Sequence, residues 1–127
     1  MSNLVTIFGG SGFIGRYIAS KMAKQGWRVR VAVRRPNEAL FVRTYGDVGQ
    51  VEPILANIRD EESVRRAIEC ADVVINCVGI LNEEKNNKFR QIHSDAPEKL
   101  AILAKDTGVK KFIHISSNFK IIKPKIL

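Results

Sequence analysis

The sequence contains only two cysteines, Cys70 and Cys77, and only two histidines, His93 and His114. The cysteines do not form a C-x-x-C pair, and the four residues show no spacing typical of a zinc site. We therefore predict no metal site and no disulfide. We expect two reduced thiols that are mostly buried.

Long apolar runs and an N-terminal leader are also absent from the sequence. No stretch approaches the roughly 20 consecutive apolar residues of a membrane span. The chain enters its first predicted strand directly, which leaves no room for a signal or transit peptide. We therefore expect a cytoplasmic location. The 127 residues, 45% of them hydrophobic, are enough for one folded domain.

Positive charge is in excess, with a net charge of +8. The excess is concentrated in the first half of the chain, at Arg28, Arg30, Arg34, Arg35 and Arg43. A basic surface can attract nucleic acid or anionic lipid, and it can equally serve a phosphate-rich cofactor. No aromatic-interleaved pattern typical of RNA binding accompanies it, so we expect no nucleic-acid partner.

The most informative stretch is residues 4–15, where five strand-forming residues lead into a glycine-rich turn and the start of a helix. Gly9, Gly12 and Gly15 have the spacing G-x-x-G-x-x-G. Gly9 permits a sharp turn, Gly12 lets the backbone approach a pyrophosphate, and Gly15 lets the helix pack close to the strand. The N–H groups at the helix start favour phosphate. The pattern predicts dinucleotide binding; the alternative is an ordinary strand–helix turn.

Strand-like and helix-like segments alternate along the chain, which is typical of a parallel sheet with helices on both faces. We predict strands at residues 4–8, 28–33, 51–55, 73–77 and 111–116, and helices at 13–25, 37–45, 60–68 and 89–106. Pro53 cannot donate a ladder hydrogen bond, so the third strand should lie at an edge. The prediction is an α/β, Rossmann-like open sheet of order 3-2-1-4-5 over residues 1–117. An irregular basic tail, residues 118–127, follows.

Arg34 and Arg35 end the second predicted strand, and Arg34 lies nineteen positions after Gly15. Domains that prefer NAD have an acidic residue near this position, which accepts hydrogen bonds from the ribose 2′-OH. Two guanidinium groups can instead bind a 2′-phosphate. The sequence therefore predicts that NADP(H) is preferred over NAD(H). The alternative is a solvated basic turn.

Two other strand ends contribute candidate residues. Asn57 and Ile58 follow the third strand, and Cys77, Val78 and Gly79 follow the fourth. Ligands of open α/β sheets bind beyond the carboxyl ends of the strands, where the strand order reverses. We therefore expect the first pair near adenine and the glycine near a ribose. Ordinary strand termini are equally consistent with these residues.

Residues with catalytic chemistry are few. Tyr17 and Lys21 match Y-x-x-x-K, but they lie on the first predicted helix, just after the phosphate turn. No tyrosine occurs after Tyr45, so no such pair follows the fifth strand. Ser116 ends that strand and could contact a nicotinamide ribose, but it has no base to activate it as a nucleophile. We assign no catalytic residue, and neither histidine receives a catalytic role.

Together these pieces resemble the extended and atypical short-chain dehydrogenase/reductase superfamily. The matching stretches are residues 9–15, 57–60, 76–79 and 108–116. More narrowly, residues 31–36 and 76–81, with His93, resemble the NADPH-binding accessory subunit of respiratory complex I and its bacterial relatives. The resemblance covers about residues 3–116. Family members continue with the Y-x-x-x-K segment, further strands and a substrate-binding region, which this chain lacks.

The resemblance implies a tightly bound NADPH with a structural or regulatory role. It implies complex I, or another protein, as a partner, and a peripheral position at the inner face of a respiratory membrane. It also implies cofactor contacts at Gly9, Ser11, Gly12, Phe13, Ile14, Arg34, Arg35, Asn57, Ile58, Val78 and Gly79. Gly15, Cys77 and Ser116, from the glycine motif and the strand ends, complete the candidate cofactor site.

Three interpretations of the function remain open. The chain is a nucleotide-binding module of the accessory-subunit type without catalysis, or it is the cofactor half of a truncated reductase or epimerase. The substrate of the latter would be a nucleotide-sugar or a small carbonyl compound. In the third interpretation the truncated chain is marginally stable and has no function, with its fifth strand left as an exposed edge.

Overall fold

The computed structural model describes residues 3–78, 96–115 and 125–126. Two short 3₁₀ segments, Pro36–Glu38 and Leu40–Tyr45, lie between the second and third strands. The strands are β1 (Leu4–Phe8), β2 (Arg28–Val33), β3 (Val51–Leu55), β4 (Val73–Asn76), β5 (Lys111–His114) and β6 (Lys125–Ile126). The helices are α1 (Phe13–Lys24), α2 (Glu61–Ile68) and α3 (Ala96–Asp106).

The strands form one sheet of order β3-β2-β1-β4-β5-β6, in which β1 to β5 are parallel. This confirms the predicted order of the first five strands. β3 lies at one edge, as Pro53 indicated. The central strand β1 is buried along its whole length and pairs with β2 on one side and β4 on the other. The strand order therefore reverses between β1 and β4, and the carboxyl ends of these two strands define the crevice of the sheet.

The sheet also has a sixth strand that the sequence analysis did not predict. β6 pairs antiparallel with β5, with Lys125 opposite Phe112 and Ile126 opposite Lys111. A two-residue strand has no periodicity by which to recognise it, and lysines and a proline interrupt the apolar residues of the tail. The strand forms where β5 offers unpaired backbone groups, so β5 is not a free edge at these two positions.

Helices cover both faces of the sheet. On one face, α1 and the second 3₁₀ segment pack on β1 and β2 through a core that includes Ile7, Ala19, Val31 and Val42. On the other face, α2 and α3 enclose a second core. β1 contributes buried side chains to both cores, which explains why its sequence is almost entirely apolar. No helix in residues 3–78 or 96–115 is long and apolar enough to cross a membrane.

The helix boundaries agree with the sequence signals in most places. Asp60 precedes α2 and its Oδ1 accepts a hydrogen bond from the Glu62 amide at 3.2 Å, as expected of an N-cap. The helix predicted over residues 37–45 is instead the two 3₁₀ segments, separated at Ala39. Of the helix predicted over 89–106, the described part begins at Ala96. Residues 79–95 lie outside the described residues.

Candidate functional site

The glycine-rich turn between β1 and α1 lies at the point where the strand order reverses. Gly9 has φ +78°, a backbone conformation that favours glycine. Its amide donates a hydrogen bond to the Ala32 carbonyl of β2 at 3.1 Å. A Cβ on Gly9 would lie 3.1 Å from the carbonyl carbon of Cys77, which follows β4. The turn is therefore held between the carboxyl ends of β2 and β4.

Gly15 and Gly12 have different reasons to be glycine. A Cβ on Gly15 would overlap the Gly9 carbonyl oxygen and lie 2.6 Å from the Cα of Gly10, so the contact between helix and turn requires glycine. Gly12 has an extended backbone, with φ −76° and ψ 179°, that any residue adopts. Among the described residues, a Cβ there would meet only the Gly9 oxygen, at an ordinary contact distance of 3.4 Å. The fold itself therefore does not need a glycine at position 12.

The first turn of α1 presents backbone N–H groups that have no hydrogen-bond partner among the described residues. The Gly12 amide donates to the Gly9 carbonyl at 3.1 Å, and the Arg16 amide donates to the Gly12 carbonyl at 2.8 Å. Within the described part of the chain, nothing accepts a hydrogen bond from the amides of Phe13, Ile14 or Gly15. The first turn also carries no acidic side chain. Together with the helix dipole, these three amides form a site for an anion.

A cleft of about 410 Å³ opens beside the glycine turn. It brings Ser11 of the turn together with Arg34 and Arg35 from the end of β2, three of the predicted site residues. It also includes Arg16 and Phe41, which the sequence analysis did not assign to the site. The described residues that line it are Ser11, Arg16, Val33, Arg34, Arg35, Glu38, Ala39 and Phe41.

The described lining of this cleft carries four charged side chains, three arginines and one carboxylate. Oε2 of Glu38 lies 3.6 Å from Nη1 of Arg35, and both side chains are largely exposed, so the pair contributes little to stability. No carboxylate of the described residues pairs with Arg16 or Arg34. The cleft therefore has a net positive charge and suits an anionic group.

Arg16 is a charged residue of the cleft that sequence reasoning missed. The helical periodicity of α1 places it on the outer face, where a cation is ordinarily solvated. In the structure its Nη2 donates to the Ser11 carbonyl at 2.9 Å, and its guanidinium lies 4.7 Å from the centre of the Phe41 ring. Phe41 belongs to a different element of the fold, so no pattern within α1 could reveal this contact.

The exposed aromatic residues of α1 lie near the start of the helix. Phe13 is 72% exposed, and Tyr17, one turn later, is 63% exposed. The ammonium of Lys21 lies 5.7 Å from the centre of the Tyr17 ring. Ile14 instead packs against the core of its face of the sheet. Tyr17 and Lys21 thus contact each other on the exposed surface of α1.

Asn57 and Ile58, which follow β3, have structural partners. Oδ1 of Asn57 accepts a hydrogen bond from the Arg59 amide at 3.0 Å, and the Asn57 amide donates to Oγ of Ser63 at 2.9 Å. These bonds form a tight turn that leads into α2. Ile58 is half-buried against the core between α2 and the sheet. The adenine contacts of both residues stay a prediction.

Cys77 and Val78 follow β4 directly beside the glycine turn. The Cys77 amide donates to the Phe8 carbonyl at 2.8 Å, and the Val78 amide donates to Oδ1 of Asn76 at 3.2 Å. The backbone of this segment is thus fixed next to Gly9. The predicted site residues Gly79 and Ser116, and also His93, lie outside the described residues.

The two thiols differ in exposure, and the prediction that both are mostly buried is wrong for Cys70, which is exposed. Burial raises the pKa of the Cys77 thiol to about 12, because a buried thiolate loses its hydration.

We therefore expect a thiol-specific disulfide reagent at pH 8 to modify Cys70 at least about ten times faster than Cys77. Peptide mass spectrometry over time measures both rates in one sample. Equal rates would contradict the burial of Cys77.

Comparison with known proteins identifies a matching family and several relatives. The model of the family described as "NAD dependent epimerase/dehydratase family" matches residues 5–120. The protein named NADH dehydrogenase (ubiquinone) 1 alpha subcomplex subunit 9, mitochondrial, of Arabidopsis thaliana is 36% identical to this chain over 115 residues, which are 89% of this chain and 29% of that protein. Ceramide reductase of Caulobacter vibrioides is 30% identical over 114 residues, which are 90% of this chain and 34% of the reductase.

Solved structures agree with the architecture. The structure of Pen from Bacillus thuringiensis superposes with a TM-score of 0.77 at 22% identity, covering 89% of this chain and 38% of that chain. At this identity the likeness shows the fold alone. The chain spans about a third of the length of the relatives that it matches.

Proposed function

Because the chain belongs to the NAD dependent epimerase/dehydratase family, we propose that residues 9–15 bind the diphosphate of a nicotinamide dinucleotide. The observation that carries this proposal is Gly12, a glycine that the fold does not need. A side chain there would occupy the space in front of the helix start. The amides of Phe13, Ile14 and Gly15, which lack partners among the described residues, supply the hydrogen bonds that a diphosphate accepts. The residues present therefore fit the group that the family's name implies.

The second part of the proposal is a preference for NADP(H) over NAD(H). In this fold the adenosine ribose lies at the end of β2, where Arg34 and Arg35 line the positively charged cleft. Glu38 is the one carboxylate among the described lining residues, and it pairs with Arg35. Guanidinium groups bind phosphate in a bidentate manner, which supports a 2′-phosphate in the cleft.

The role that we propose is structural or regulatory binding of the cofactor, as in a complex I accessory subunit. Support comes from the 36% identity to the Arabidopsis subunit, above the 30% identity to the ceramide reductase. A bound nicotinamide dinucleotide would supply hydride transfer as its chemistry. According to this proposal, the protein binds the respiratory complex. The protein then lies peripherally at the inner face of the membrane.

A second candidate function is that of the cofactor half of a reductase or epimerase. The observation in its favour is the similarity to the ceramide reductase over 90% of this chain. The two candidates differ in turnover. If the protein is of the accessory-subunit type, we expect it to bind NADPH and not to oxidise it when nucleotide-sugars or small carbonyl compounds are added. NADPH oxidation above the protein-free rate, followed at 340 nm, would favour the enzyme.

Calorimetric titration with NADPH and NADH, combined with thermal unfolding, tests binding and folding together. We expect NADPH to bind at least about tenfold more tightly than NADH. Saturating NADPH should raise the melting temperature, because a ligand at about 100 times its dissociation constant adds roughly 2.7 kcal/mol of stability. Absence of binding by both nucleotides would contradict the proposed function. Equal dissociation constants would contradict only the preference for NADP(H).

A further inference from the structure

We propose that Arg16 is a specificity-determining residue, a second cation that binds the 2′-phosphate of NADP(H) from helix α1 while Arg34 binds it from the end of β2. Both arginines line the same cleft beside the glycine turn. This inference rests on the proposed function, because it concerns the nucleotide that would occupy that cleft. It assigns the second cation to α1 and not to Arg35, the neighbour of Arg34 in the sequence.

The charges in the cleft favour Arg16 over Arg35. A phosphate monoester carries about −1.5 to −2 charges at pH 7, so one arginine does not neutralise it. Arg35 has a carboxylate neighbour, since its Nη1 lies 3.6 Å from Oε2 of Glu38. Arg16 and Arg34 are the two arginines of the lining without a carboxylate partner among residues 3–78 and 96–115. Their combined charge matches that of the phosphate.

The contacts of Arg16 fix its guanidinium at the cleft. One face of the group lies on the Phe41 ring, 4.7 Å from the ring centre. One Nη2 hydrogen donates to the Ser11 carbonyl, which uses one of the five N–H donors of the side chain. The remaining donors are available to an anion.

Phe41 is itself held in place by its own segment. The Tyr45 ring packs edge-on against it, with the ring centres 6.3 Å apart. Val42, the next residue, is fully buried in the core that also contains Ala19 of α1. The segment that carries Phe41 is therefore anchored to the helix that carries Arg16. An arginine ordered before the ligand binds loses less rotamer freedom on binding, which increases its contribution to affinity.

Arg16→Gln in the full 127-residue chain tests the proposal. We expect the dissociation constant of NADPH to rise about tenfold and that of NADH to change less than about twofold, because one charge-assisted contact to phosphate is lost. Titration with 2′,5′-ADP and 5′-AMP, which differ only in the 2′-phosphate, should show the same contrast. Phe41→Leu should raise the NADPH constant by a smaller factor, since it releases Arg16 without removing its charge.

Arg66→Gln is the matched control, because Arg66 is an exposed arginine on α2, a helix on the other face of the sheet. It removes the same charge and should leave all four dissociation constants unchanged. If Arg16→Gln leaves the ratio of the NADPH and NADH constants as in the parent chain, or weakens both nucleotides equally, the role of Arg16 is refuted while the proposed function stands. A parent chain that binds neither nucleotide refutes both.

Discussion

Gly12→Ala is expected to leave the protein folded and to weaken NADPH binding by about a hundredfold. In the described part of the chain, the added methyl group meets only the Gly9 carbonyl oxygen, at 3.4 Å, and the backbone there suits any residue. The free energy of unfolding should therefore change by less than about 1 kcal/mol. The methyl group would separate the diphosphate from the amides of α1. Loss of two hydrogen bonds to a charged group, at about 1.5–3 kcal/mol each, accounts for the expected weakening.

Gly15→Ala is the contrasting variant, because its Cβ would overlap the Gly9 carbonyl oxygen and crowd the Gly10 Cα. Here we expect a lower melting temperature as well as weaker binding, since backbone must move and overpacking costs about 1–3 kcal/mol. Thermal unfolding and calorimetric titration of both variants separate the two roles. NADPH binding by Gly12→Ala at the affinity of the parent chain would show that the glycine turn does not contact the diphosphate.

Arg34→Glu is expected to invert the nucleotide preference, with NADPH bound about a hundredfold more weakly and NADH bound at least as well as before. The carboxylate would repel a 2′-phosphate and would accept hydrogen bonds from a 2′-OH. Arg34 has no carboxylate partner in the described ranges, so its replacement breaks no observed ion pair. Titration with both nucleotides gives the ratio of the dissociation constants.

The matched control for this charge reversal is Arg28→Glu. Arg28 is an exposed arginine of the same strand at its opposite end, where it pairs with Leu4 of β1. The Arg28→Glu substitution changes the net charge by the same amount as Arg34→Glu, but far from the glycine turn. It should leave the preference for NADPH over NADH unchanged. If both variants weaken NADPH equally, the preference arises from the overall charge of the protein and not from the end of β2.

Much of the fold could be predicted because local patterns and the global topology agree. The predicted order 3-2-1-4-5 put β1 at the centre of the sheet, where it is buried along its whole length, and Pro53 indicated that β3 is an edge strand. Gly9 and Gly15 combine a turn with a close contact that glycine alone allows, so their spacing predicted the junction between β1 and α1. These features depend on residues that are near one another in the sequence.

The features that were missed depend on residues far apart in the sequence or on very short elements. The contact of Arg16 with Phe41 joins two elements 25 positions apart, and the periodicity of α1 indicates only a solvated arginine. The exposure of Cys70 is a separate miss, because cysteine is usually buried; this residue lies just after α2, with φ +64°. The two-residue strand β6 forms only because β5 is available to pair with it.

The central claim is that the free amides at the start of α1 bind the diphosphate of the cofactor, and amide NMR during an NADPH titration tests it most directly. The ¹H–¹⁵N resonances of Phe13, Ile14 and Gly15 are predicted to shift with NADPH concentration, more than those of Glu61 and Glu62 in the first turn of α2. NADPH that binds, by calorimetry, without shifting the resonances of residues 13–15 would contradict the claim.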